Sequence, residues 1–253
     1  MNITWQAENY KDNFSFVHQY GEDVLDLITG DTSQFVVDLG CGNGALTHKL
    51  SERGFRVLGI DDSSEMLALA KRQYSELSFL QGNALNFQLE EKADVIFSNA
   101  VFHWIDADRQ EEMLRNLFCQ LKPGGQLVCE FGGKGCAELV HSTLEELFSA
   151  RDFSYLRAFY FPSIGEYTSL MESCGFKVTY AILFDRPTPQ KNENGLEEWI
   201  RMFDKKPFEG MSESTVKEIL TEASEKLRPV LFREDRWFID YVRIRIRAVK
   251  EVT

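Results

Sequence analysis

The chain has 253 residues, 43% of them hydrophobic and 27% charged, a balance that excludes a disordered chain and is long enough to bury one large core. Its net charge of -12 argues against a nucleic-acid partner, because phosphate binding depends on clustered Lys and Arg, and only the arginines near the C-terminus approach a cluster. No window approaches the roughly 20 consecutive apolar residues of a membrane span.

The opening MNITWQAENYKDN lacks the basic start and apolar run of a signal peptide. Five cysteines show neither CxxC pairing nor zinc spacing with the four histidines, so no metal is expected and a reduced, cytoplasmic setting is. A small-molecule substrate fits this profile. Trp5, Tyr10 and Phe14 recur at roughly helical spacing, which makes 1–30 an amphipathic helical segment, either packed on the domain or closing over a site as a lid.

From residue 31 onward, short apolar runs alternate with helical patterns. FVVDLG (35–40) reads as a buried strand, ALTHKLSERG (45–54) as a helix stopped by Gly54, and RVLGID (56–61) as a second strand. Ser63 or Ser64 caps the helix EMLALAKRQY, and SFLQGN (78–83) is a weak third strand. ADVIFSNA (93–100), the helix DRQEEMLRNLFCQL and QLVCEFGG (126–133) complete the alternation, which calls for a parallel sheet covered on both faces. Beyond Gly135 come a helix, an aromatic-rich linker FSYLRAFYFPS, a helix closed by Gly175 and the long strand FKVTYAILFDRP, so the core domain spans 31–187. A mostly helical insertion, read as a cap, covers 188–235. The last segment, 236–253, contains YVRIRIRAVK, whose period of two gives a strand with one buried face.

In open parallel sheets the ligand crevice lies beyond the carboxyl ends of the strands, where Gly40-Cys41-Gly42-Asn43-Gly44 falls. The dinucleotide fingerprint GxGxxG is poorly matched, since the third glycine arrives one place early and Ala45 stands where the last small residue belongs. Asp38, two residues before the first glycine, would repel a pyrophosphate and attract a sulfonium. Asp61, at the end of the second strand, is placed to accept hydrogen bonds from a ribose. A cationic ligand carrying a ribose is favoured, and S-adenosyl-L-methionine has both features.

DLGCGNG, LGID, QGNA (81–84), SNAVFHW and LKPGG (121–125) together resemble the motifs of class I S-adenosylmethionine-dependent methyltransferases, across roughly residues 30–135. SNAVFHW with the opening TWQAENY is most similar to the group containing trans-aconitate methyltransferase and the malonyl-carrier-protein methyltransferases. The resemblance implies an α/β, doubly wound, Rossmann-like sheet of seven strands, the last antiparallel, carrying the helical cap. It also implies that Asp38, Gly40, Cys41, Gly42 and Gly44 surround the methionine part of the cofactor, and that Asp61 holds the ribose with Asp62 and Met66 nearby. Asn83 and Ala84 would face the adenine and Asn99 would line the floor under the sulfonium. Many relatives have an acid at position 83, where this chain has asparagine.

Methyl transfer from a sulfonium is an in-line displacement, so alignment and exclusion of water are the protein's main contributions. A carboxylate acceptor is ionised at neutral pH and needs no general base, whereas a hydroxyl or carbon acceptor does. His103, the histidine beside the proposed site, is either that base or a structural residue, and Trp104 next to it is placed to wall off solvent. Tyr160 and Arg186 are candidates for the acceptor pocket, Arg186 because a guanidinium pairs with a carboxylate, with structural roles as the alternative. Arg243, Arg245 and Arg247 read as the exposed face of the last strand or as a contact for an acidic carrier protein. The expected activity is O-methylation of a small-molecule carboxylate. The alternatives are an acyl-carrier-protein or lipid acceptor, or a non-catalytic S-adenosylmethionine-binding protein.

Overall fold

The strands in chain order are β1 (Phe35–Leu39), β2 (Arg56–Asp61), β3 (Ser78–Gln81), β4 (Ala93–Asn99), β5 (Leu121–Gly132), β6 (Phe176–Asp185), β7 (Thr188–Pro189), β8 (Phe232–Arg233), β9 (Arg236–Ile239) and β10 (Val242–Lys250). The computed structural model describes residue 21 and residues 23–251; Trp5, Tyr10 and Phe14, the candidate lid residues, lie outside them.

Seven strands form one sheet in the order β3, β2, β1, β4, β5, β10, β6. β1 is parallel to both β2 and β4, and β10 is antiparallel to both β5 and β6. This is the doubly wound Rossmann-like arrangement, with its last strand reversed. Every residue of β1 is buried, which is why it reads as an unbroken apolar run where strands of one-sided sheets would alternate. The strand order reverses between β1 and β4, so a crevice opens beyond their carboxyl ends.

The helices are α1 (Ala45–Glu52), α2 (Ser64–Gln73), α3 (Gln110–Gln120), α4 (Glu138–Ser149), α5 (Ile164–Ser173), α6 (Gly195–Phe203) and α7 (Glu213–Leu231). Ser63 caps α2, its side chain accepting from the Met66 N–H at 3.2 Å. Ser163 and Glu166 form a capping box that starts α5. Among the described residues, no helix is long and apolar enough to cross a membrane.

A second apolar cluster stands apart from the sheet core and joins α4, α6 and α7 through Leu144, Trp199, Ile219, Leu220 and Trp237. Arg236–Ile239, expected to begin the final core strand, belongs to this layer, because β9 pairs with β7 and β8 in a small separate sheet. The cause is a tight hairpin: Glu234 and Asp235 both take positive φ (52° and 57°), the two-residue turn whose twist suits antiparallel strands. The core strand starts only at Val242.

β10 shows the expected alternation, with Ile244, Ile246 and Ala248 buried. Its arginines, however, do not form an exposed face. All three are partly buried: Arg245 pairs with Glu130, and Arg247 Nε donates to Thr179 Oγ1 at 3.1 Å. Arg243 points to a different structure, described below.

Candidate active site

The chain leaves β1 and turns through Gly40, Gly42 and Gly44 with φ of +73°, +55° and +83°. The N–H groups of Gly40 and Cys41 both donate to the Ile60 carbonyl, at 2.7 and 3.0 Å, which clamps the loop onto β2. At Gly40 a side chain is excluded twice, by the positive φ and because a Cβ there would lie 2.2 Å from a methyl of Val101.

Asp61 ends β2 and ties this loop to the start of α2. One carboxylate oxygen accepts from the Gly42 N–H and the other from the Ser63 N–H, both at 2.9 Å. Burial pushes its pKa up to about 6, against the opposing pull of those two bonds. Asp38 was expected at the mouth of the crevice; it is instead 1% exposed, behind the loop, where Thr47 Oγ1 donates to it at 2.6 Å. Burial raises its pKa to about 7, with the charge of Asp61 adding to the rise.

The crevice is about 570 Å³ including its open mouth. Gly40, Asp61, Asp62, Asn83, Ala84 and Trp104 line it, joined by Val101, Ile105, Asp106 and Arg109, to which sequence reasoning assigned no role. Cys41, Gly42, Gly44 and Met66 build the loop and its support. Cys41 is buried, with burial pushing its thiol pKa upward, and the Met66 methyl lies 3.2 Å from where a Cβ of Gly42 would be. Asn99 is half-buried at the end of β4, in register with Glu130.

On the other side of Trp104 lies a second cavity of about 460 Å³ including its mouth. Its lining comes from four separated segments: Ala100, His103 and Trp104 after β4, Cys136 with Phe159 and Phe161 around α4, Trp199 and Phe203 on α6, and Tyr241 and Arg243 at β10. Trp104 faces both spaces and is their shared wall. Phe159 and Phe161 are stacked, 5.2 Å apart and 9° from parallel. The Arg243 guanidinium lies 4.5 Å from the Tyr241 ring centre, and its buried Nε has no hydrogen-bond partner among the described residues.

His103 is buried, and its Nδ1 accepts from the Gly132 N–H at 3.2 Å. Burial, reinforced by the charge of Arg243, holds its pKa well below 6.5. The ring is therefore neutral and carries its proton on Nε2, a donor and not a base.

Residues 36–125 match the methyltransferase domain family. An uncharacterized methyltransferase of Schizosaccharomyces pombe is 30% identical to the chain over 98% of each. The chain belongs to the class I S-adenosylmethionine-dependent methyltransferases. Trans-aconitate 2-methyltransferase of Delftia acidovorans is 27% identical, with 77% of this methyltransferase and 78% of that protein covered. A solved methyltransferase structure from Bacillus halodurans superposes with a TM-score of 0.65 at 14% identity, covering 91% of this chain and 98% of the other.

Two residues expected in the acceptor pocket of the methyltransferase lie outside both cavity linings. Arg186 holds Glu130 with both ends of its guanidinium, Nη1 at 2.5 Å and Nη2 at 3.1 Å, and Arg245 Nε reaches the same carboxylate at 2.7 Å. A buried carboxylate thus claims Arg186. The Tyr160 hydroxyl donates to Glu166 at 2.8 Å, and its backbone N–H donates to the His103 carbonyl at 3.1 Å. The rings that do line the cavity left one signal in the sequence, the density of aromatics in FSYLRAFYFPS. Arg243 left none that separates it from Arg245 and Arg247.

Behind the cavity, the Tyr155 hydroxyl donates to Asp204 Oδ2 at 2.5 Å and stands 2.6 Å from His141 Nδ1. A hydroxyl has one proton, so Nδ1 is the donor to Tyr155. His141 and Asp204 are fully buried, and His141 Nε2 and Asp204 Oδ1 have no partner among the described residues. This chain links α4, the linker carrying Phe159 and Phe161, and the end of α6 beside Phe203. Tyr155→Phe leaves His141 Nδ1 and Asp204 Oδ2 with only each other, 3.5 Å apart, and is expected to lower stability by about 1–3 kcal/mol, read by denaturant unfolding.

Proposed function

We propose that this methyltransferase O-methylates a carboxylate of a small molecule seated in the second cavity. The observation that supports this reading is the shared Trp104 wall, with an adenosyl-type crevice on one side and, on the other, an arginine beside a histidine that cannot act as a base. When bound, S-adenosylmethionine supplies a methyl group already activated on a sulfonium, which passes to the acceptor oxygen and leaves a neutral thioether. The crevice residues fit that group: Asp61 offers a carboxylate to the ribose, and the bare Gly40 backbone permits close approach. The Asn83 oxygen is taken up by the Leu85 N–H at 3.0 Å, so its Nδ2 is the donor it presents to an adenine ring nitrogen.

Trp104 excludes water between the two spaces, and Arg243 orients the acceptor carboxylate. No proton has to leave the nucleophile, because a carboxylate is ionised at neutral pH. An aromatic-lined cavity alone would suit an amine cation through cation–π attraction, but the fixed positive charge of Arg243 opposes it. The likeness to trans-aconitate 2-methyltransferase supports a carboxylate acceptor.

The test is incubation with methyl-labelled cofactor and matched sets of carboxylates, amines and acyl thioesters. The expected product releases its label as volatile methanol in mild alkali, as methyl esters do. Alkali-stable label found on amines alone would overturn the reading.

A further inference from the structure

We infer that the second cavity selects a single carboxylate attached to a flat, unsaturated or aromatic body, and that Arg243 is the residue that selects it. The inference rests on the proposed carboxylate O-methylation and narrows its substrate class. Of the described side chains lining the cavity, Arg243 alone carries a charge, since His103 is neutral. Six others are aromatic: Trp104, Phe159, Phe161, Trp199, Phe203 and Tyr241. One anionic group therefore finds a partner, while a second or third carboxylate would be desolvated among rings with no further cation among the described residues to meet it.

Arg243 is also the exception among the arginines of its strand. Arg245 is held by Glu130 and Arg247 by Thr179. The neighbouring Asp240 is turned toward α4, its Oδ2 accepting from the Leu139 N–H at 2.9 Å. A buried guanidinium donor without an acceptor is unfavourable unless a ligand supplies one. The shape of the ligand follows from the walls. Phe159 and Phe161 stack on each other and Trp104 lies 4.8 Å from Phe159 at a tilt of 52°, so the walls are packed rings, which favour offset or edge contacts with a planar partner.

The experiment compares three probes on the protein saturated with S-adenosylhomocysteine: cinnamate, tricarballylate as a flexible polyanion, and phenethylamine as an aromatic cation. Binding is read by calorimetry and, with S-adenosylmethionine, by ester formation. The wild-type protein should bind and methylate cinnamate in preference to tricarballylate. Arg243→Gln should weaken cinnamate roughly 10- to 100-fold without changing S-adenosylhomocysteine affinity, and Arg243→Lys should restore part of the loss.

Preferential methylation of tricarballylate would overturn the inference and leave carboxylate methylation standing. Methylation of phenethylamine alone would overturn both. Cinnamate binding unaffected by Arg243→Gln, or no binding of cinnamate to a protein that takes up S-adenosylhomocysteine, would overturn the assignment of Arg243.

Discussion

Glu130→Ala is expected to destabilise the protein by about 3–5 kcal/mol, the usual consequence of breaking a buried ion pair from one side. Glu130 is 2% exposed and receives both Arg186 and Arg245, whose side chains are only 13% and 14% exposed. The two guanidiniums also lie over the same ring, Phe184, at 4.9 and 5.4 Å from its centre. The carboxylate is what lets two like charges share that place. Without it they repel each other and cannot reach bulk water without opening the β5–β10–β6 end of the sheet. Thermal unfolding should show a fall on the order of 10 °C for a chain of this size. Glu130→Gln, which keeps an acceptor but not the charge, should fall between the variant and the wild type. A loss below about 1 kcal/mol for Glu130→Ala would mean that water solvates the two arginines already.

The second large effect concerns Asp61. Asp61→Asn is expected to weaken S-adenosylmethionine roughly 10- to 100-fold, because the proposed charged acceptor for the ribose becomes a neutral one and a bond to the loop is lost as well. The same carboxylate gives the affinity a pH dependence. Its pKa in the fold is about 6 and that of Asp38 about 7, both above the ordinary 3.8. The folded, cofactor-free protein therefore binds these protons more tightly than the unfolded chain does. The stability contributed by the two groups is fully present below 3.8 and is lost as pH rises through about 6 and 7.

Cofactor affinity runs the other way, since the ribose and the sulfonium both favour the ionised carboxylate. Affinity should fall as pH drops from 7 to 5, and the gain in thermal stability from saturating cofactor should be larger at pH 8 than at pH 5. In Asp61→Asn that slope should flatten. A wild-type affinity constant across this range would show that Asp61 does not meet the cofactor.

Most of the sheet was legible because parallel strands buried on both faces leave continuous apolar runs, and FVVDLG and ADVIFSNA are runs of that kind. The glycine loop was legible for a different reason: Gly40 needs both positive φ and the absence of a Cβ, a demand that only one residue type meets. The small β7–β9–β8 sheet was not. Its strands are two to four residues long, and its turn uses Glu234 and Asp235, neither of which announces a left-handed conformation as glycine does.

The second cavity was the least legible part, since it is assembled from segments as distant as Ala100 and Arg243. The alternation of β10 showed that Arg243, Arg245 and Arg247 point away from the apolar core. It carried no record of Glu130 and the layer of α4, α6 and α7, which give three arginines in one pattern three different surroundings.

In the proposed reaction the methyl group passes at the edge of Trp104, the residue common to both spaces, because an in-line displacement needs the sulfonium and the acceptor oxygen in direct contact. A crystal structure with S-adenosylhomocysteine tests this most directly. Ribose hydroxyls against Asp61 and a sulfur directed past Trp104 into the Arg243 cavity are expected. A sulfur turned away from Trp104, with the Arg243 cavity closed off from it, would rule out transfer into that cavity.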